Sequence, residues 1–100
     1  MPQFRDHEFA SDHPTGAGHF PGNPIIPGAL LLDTVVDAIR GADAAPYAIR
    51  AVKFLRPVRP GDKIRIAWHE ERGETHFECS LIATGEVAAT GTLRGTTPAQ

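Results

Sequence analysis

A single cysteine, Cys79, rules out any disulfide within the chain. It falls in an alternating strand-like run with no thiol motif around it, which predicts a small core residue and not a nucleophile. Long apolar runs are missing too: nothing approaches the ~20 residues that a membrane-spanning helix requires. The first residues, Met1-Pro2-Gln3-Phe4-Arg5-Asp6, contain no apolar h-region, so the expected compartment is the cytoplasm. Neither sign of charge dominates. A formal charge of −2 offers no basic surplus for nucleic-acid phosphates. Repeats, low-complexity tracts and linkers are likewise lacking, which predicts one domain over residues 1–100 with a frayed tail at Thr96–Gln100. A chain of 100 residues that is 41% hydrophobic can form one core. It buries only a modest share of its surface, so self-association is a natural supplement.

Proline and glycine, by contrast, are concentrated where they can matter. The run His19-Phe20-Pro21-Gly22-Asn23-Pro24-Ile25-Ile26-Pro27-Gly28 leads directly into Ala29-Leu30-Leu31-Leu32-Asp33. Its three prolines fix φ and disfavour helix in the residue before each, while the two glycines allow close backbone approaches. The loop is therefore stiff. It delivers an imidazole to one end of a helix start, whose unpaired N–H groups favour an oxygen that is gaining negative charge, and a carboxylate follows one turn into the helix.

Coarse patterning predicts a strand over Phe4–Phe9, a loop over Ser11–Gly28 and a helix over Ala29–Arg40. The helix is apolar enough to be buried on several sides and is stopped by Gly41. Four strands are expected after it: Ile49–Leu55, Lys63–Glu70, Thr75–Ala83 and Val87–Arg94. A hairpin turning at Arg72-Gly73 would oppose Glu71 to Glu74, His69 to His76, Trp68 to Phe77, Ile66 to Cys79 and Ile64 to Leu81. That register sorts large apolar pairs from polar ones, and a one-residue slip would mix the faces.

The His-Phe-Pro-Gly string, its Pro24 and Pro27-Gly28 continuation, Leu30 and Asp33, together with Arg56-Pro57-Val58-Arg59-Pro60-Gly61-Asp62, resemble the 3-hydroxyacyl-acyl-carrier-protein dehydratases. Short proteins resembling them also serve polyketide-type and aryl-polyene synthesis. Asp33 resembles the branch that also isomerises the double bond, since enzymes that only eliminate water usually carry Glu there. The resemblance implies an α+β hot-dog fold, an antiparallel sheet wrapped around one central helix. It also implies a homodimer or higher homo-oligomer in which the histidine of one subunit faces the acid of the other, and an acyl-carrier-protein thioester as substrate. Asp37 departs from the family, which commonly has Gln at that place.

Dehydration of a 3-hydroxyacyl thioester needs a base for the α-proton, an acid for the departing hydroxyl and a donor to the thioester oxygen. His19 suits the first task at neutral pH. Asp33 suits the second if apolar neighbours such as Leu30, Leu32 and Val36 favour its protonated form. The resemblance assigns the third to the Gly28 N–H. Phe20, Pro21, Gly22, Pro27, Leu30 and Asp37 are the expected substrate contacts, and neither metal nor cofactor is called for.

Simpler assignments compete with these. Asp33, Asp37 and Arg40 could form a polar stripe, His19 could be a hydrogen-bonded structural residue, and His69 with His76 a solvated strand face. Lys53, Arg56, Arg59, Lys63, Arg65 and Arg94 would give either a basic rim for an acidic carrier or ordinary solvated strands. A hot-dog thioesterase or a noncatalytic acyl-binding subunit are the rival functions; neither needs His-Phe-Pro-Gly.

Overall fold

A computed structural model describes residues 3–11, 24–41 and 47–95. The elements run β1 (Gln3–Glu8), α1 (Gly28–Arg40), β2 (Tyr47–Phe54), β3 (Lys63–Glu71), β4 (Glu74–Leu81) and β5 (Val87–Gly95). All strand pairs are antiparallel, in the order β1-β3-β4-β5-β2. The expected one helix and five strands are present, each within about two residues of the sequence boundaries, a scatter ordinary at element ends.

Period-2 patterning builds the centre of the sheet. Ile64, Ile66 and Trp68 alternate with exposed or half-buried residues along β3, and Thr75, Phe77 and Cys79 do the same on β4. The β3–β4 register is the one expected, with Trp68 opposite Phe77 and Ile66 opposite Cys79. Its tight turn is made by Arg72 at φ 53° and Gly73 at φ 78°. Positive φ at both central residues gives a turn whose twist matches that of the strands. Cys79 is buried and its thiol is pushed up to about 12 by desolvation, as befits a core residue.

The helix lies on the face presented by Ile64, Ile66, Phe77 and Leu93, completing a core with Leu31, Val35, Val36, Ile26 and Val58. Burying each Ile or Leu contributes roughly 1.5–3 kcal/mol. One expectation is corrected here: α1 is not buried on several sides within the chain. Only Leu31, Val35 and Val36 are fully buried, Leu30 and Leu32 are half-buried, and Ala29, Asp33 and Asp37 are exposed. At its end Arg40 sits in the last turn, and the Gly41 N–H, at φ 77°, donates to the Asp37 carbonyl at 2.8 Å.

Where the sheet curls around the helix, β5 passes close to β2. A Cβ added at Gly91 would lie 2.5 Å from Phe77 Cζ and 2.6 Å from the Ala51 carbonyl oxygen. The backbone contact cannot yield as a side chain could. Gly91→Ala should therefore cost at least about 1–3 kcal/mol of overpacking strain. Thermal unfolding followed by circular dichroism checks this, with a midpoint lowered by several degrees or more as the expected outcome.

Candidate active site

The second proline-glycine motif supports the first. In the Arg56–Asp62 turn, the Asp62 carboxylate accepts the Arg59 backbone N–H at 2.8 Å, and the Val58 side chain enters the core. The Val58 carbonyl accepts the Ile26 N–H at 2.7 Å. The segment entering α1 is thus tied to that turn just before the helix begins. The other end of the turn is tied to the residue that follows β1: the Phe9 N–H donates to the Asp62 carbonyl at 3.0 Å, and the Gly61 N–H donates to the Phe9 carbonyl at 2.8 Å.

Pro27 is the N-cap and supplies no side-chain acceptor, and the first turn contains no acidic residue. The first backbone bond of the helix runs from Leu31 N–H to the Pro27 carbonyl at 3.0 Å. Among the described residues, nothing accepts the N–H groups of Gly28, Ala29 and Leu30. These donors are the kind that stabilise a developing oxyanion. Gly28 borders a cleft of about 360 Å³ whose other walls include Ile25, Leu31, Phe54 and Leu55.

Phe54 is a neighbour of Gly28 that the sequence did not point to. Its ring lies over Gly28, where an added Cβ would fall 3.1–3.4 Å from three ring carbons. An aromatic at the end of an expected strand is the signal that could have found it, once β2 is known to reach the helix start.

Asp33 lies five residues beyond Gly28, roughly 7 Å along the helix axis. Both Asp33 and Asp37 stand exposed on the side of α1 turned away from the sheet. The expected enclosure of Asp33 by Leu30, Leu32 and Val36 is not provided within one chain: Val36 is turned into the core while the carboxylate is open. Nor does an ion-paired stripe form, because the Arg40 guanidinium stacks over Tyr47 at 5.3 Å and Asp37 joins no ion pair among the described residues. The structure thus brings Gly28, Leu30 and Pro27 together at the helix start, with Asp33 and then Asp37 following along its open face. His19, Phe20, Pro21 and Gly22 lie outside the described residues.

The other candidates stand apart. His69 and His76 stack at 5.2 Å, and Thr92 Oγ1 lies 3.3 Å from His76 Nδ1. They border a wider hollow of about 580 Å³, but it lies on the sheet face opposite the helix and includes no residue of the motif. Much of the supposed basic rim is paired: Arg56 with Glu86 at 2.9 Å, Lys63 with Glu8 at 4.0 Å and Arg65 with Asp6 at 2.8 Å. Hydrogen bonding from Arg65 holds the Asp6 carboxyl below its usual range. That carboxylate therefore favours the fold above its ordinary value, an advantage lost as pH falls through the lowered one. Such exposed pairs carry little energy, and they suit solvated strand faces.

The two edges of the sheet differ. Every residue of β1 is exposed and four consecutive ones, Arg5-Asp6-His7-Glu8, are polar. Tyr47, Ile49, Phe54 and the adjoining Leu55 give the β2 edge four exposed apolar side chains beside Arg50 and Lys53, against Phe4 alone on β1.

Comparison with known proteins agrees with this architecture. The ApeI-like family model, described as ApeI dehydratase, matches residues 5–92. A 3-hydroxyacyl-[acyl-carrier-protein] dehydratase FabZ from Haemophilus influenzae is 33% identical over 96 residues, covering 82% of this chain and 65% of its own length. The chain thus spans just under two thirds of that relative. Among solved structures, an uncharacterised protein from Erwinia carotovora superposes with a TM-score of 0.74 at 26% identity, covering 93% of this chain and 81% of that one. The dehydratase heterocomplex ApeI:P from Xenorhabdus doucetiae gives 0.70 at 23%, covering 93% and 85%, and shares the hot-dog fold. Since the family match runs from within β1, through the helix, into β5, this chain belongs to the ApeI-like dehydratases.

Proposed function

We propose that the protein removes water from 3-hydroxyacyl thioesters, carried on an acyl carrier protein, to give trans-2-enoyl thioesters in fatty-acid or polyketide/aryl-polyene-type synthesis. The observation that carries this proposal is the pairing of an uncapped helix start, with the Gly28 N–H unclaimed among the described residues, and an open Asp33 carboxylate farther along the same helix. The thioester oxygen accepts from Gly28. His19 takes a proton from the α-carbon, the C–H electron pair becomes the double bond, and the Cβ–O bond breaks as the hydroxyl takes the proton of Asp33. Water leaves, and the proton on His19 is returned through solvent to Asp33. Phe20, Pro21, Gly22, Pro27, Leu30 and Asp37 contact the substrate.

The working unit is a homodimer joined along β2, with each His19 facing the Asp33 of the other subunit. The apolar β2 edge and the exposed side of α1 favour this assembly, which would supply the enclosure that one chain does not give Asp33. The test is incubation with 3-hydroxyacyl thioesters of several lengths, on carrier protein and on coenzyme A, read by mass spectrometry. Loss of one water is expected. Release of free thiol would instead indicate a thioesterase, and binding without turnover an acyl-binding subunit.

A further inference from the structure

We propose that the cleft at the start of α1 receives the thiol arm of the substrate, an extended chain of methylenes and amides, and that Phe54 is the wall that holds it. This rests on the dehydratase function proposed above. Two fixed points give the substrate its direction. The thioester oxygen meets the Gly28 N–H, unclaimed among the described residues, which faces back along the axis away from the helix. The β-hydroxyl must reach Asp33, roughly 7 Å farther along the same axis. The acyl carbons therefore run toward the C-terminal end of α1. The sulfur, bonded to the other side of the carbonyl carbon, leaves in the opposite direction. On that side lies the cleft of about 360 Å³, walled by Ile25, Ile26, Phe54, Leu55, Pro57 and Val58.

Backbone bonds set both walls. The Leu55 and Arg56 N–H groups donate to the Ala88 carbonyl at 2.8 and 3.2 Å, which pins the chain directly after Phe54. On the helix side, Ile26 is held to the Val58 carbonyl at 2.7 Å. The Phe54 ring spans the gap between them: a Cβ added at Gly28 would fall 3.1–3.4 Å from its three outermost carbons, yet the residue is 52% exposed. An apolar ring fixed beside a donor and left half open offers a surface to the chain that the donor engages. Laying methylenes of the arm on it takes apolar surface of both out of water. The cleft has room for roughly a dozen water-sized atoms at about 30 Å³ each, enough for the sulfur and the first methylenes and amide of the arm. A preformed, mostly apolar cleft with a few polar groups at one end is the usual form of a small-molecule site.

The test has two readouts. Titration calorimetry follows binding of S-methyl-pantetheine, an arm that carries no acyl group. Phe54→Ala should weaken it by about tenfold, the worth of one to two methylenes buried on the ring, and Phe54→Tyr, which keeps the ring, should bind like the wild type. Steady-state kinetics then compare 3-hydroxybutyryl and 3-hydroxyoctanoyl thioesters of N-acetylcysteamine. In Phe54→Ala the KM of both should rise by the same factor with kcat little changed, because the acyl tail runs the other way. If Phe54→Ala does not fold, Phe54→Leu takes its place, with an expected weakening of about fourfold, one methylene's worth. Unmoved binding of the arm in a folded variant overturns the proposal, and so does a wild type that does not bind it. A changed ratio between the two acyl lengths also overturns it, since the tail would then occupy this cleft. A wild-type protein that binds the arm but dehydrates neither thioester overturns the underlying function instead, so the two failures are distinguishable.

Discussion

His19→Ala should fold, dimerise and lose elimination altogether, yet recover activity when mixed with Asp33→Asn. The loss is expected because no other histidine sits beside the motif: His69 and His76 occupy the opposite face of the sheet, His7 is held against Phe9, and His13 precedes the motif by six residues in sequence. The recovery follows from symmetry. If each site takes its histidine from one subunit and its acid from the other, a mixed dimer has one site with both defects and one with neither. Random exchange makes half of the dimers mixed, so about a quarter of wild-type activity should return. The measurement is turnover after mixing under conditions where subunit exchange is verified by mass spectrometry of differently tagged chains. Exchange without recovery would mean that His19 and Asp33 of the same chain form each site.

Asp33→Asn by itself should lower kcat by the 10²–10⁴-fold typical of a missing general acid, about 3–5 kcal/mol in barrier height. Its fold should be almost unaffected, because the side chain is exposed and joins no ion pair among the described residues. Thermal unfolding run beside the kinetics separates the two effects. A lowered kcat with an unchanged midpoint is the expected combination, and a wild-type rate would reduce Asp33 to a surface carboxylate.

The β3–β4 hairpin was legible down to individual pairs because two constraints coincide there: a two-residue turn fixes where the strands reverse, and Trp68, Phe77, Ile66 and Cys79 must share one face. The helix was legible in extent but not in surroundings. Leu30, Leu32 and Ile39 read as core in composition, yet one chain supplies only enough sheet to bury the Leu31–Val35–Val36 side fully. Strand order lay beyond local reasoning. Nothing in Tyr47–Phe54 says that it crosses to pair with β5 at the far edge, and with that placement went Phe54, whose ring covers Gly28. The basic residues left two readings open, a rim or solvated strands, because the carboxylate partners Asp6, Glu8 and Glu86 are all distant in sequence from Arg65, Lys63 and Arg56. Of the site, residue identities were readable from the motif, whereas the open helix face and the unclaimed donors at its start depend on tertiary packing.

The unlike borders of the sheet bear on how far assembly can go. A strand edge is a template, and a chain with two attractive templates would propagate into fibres. Here one border is fit to join its own copy and the other is guarded, because the run Arg5-Asp6-His7-Glu8 would bring ionised side chains against any newcomer. Joining through β2, as proposed, would use up that border of both participants and leave β1 outermost at each end. In the dimer proposed above, growth in the sheet direction would end at two, and the same polar tetrapeptide that contributes nothing to the core would act as a stop signal against amyloid-like extension.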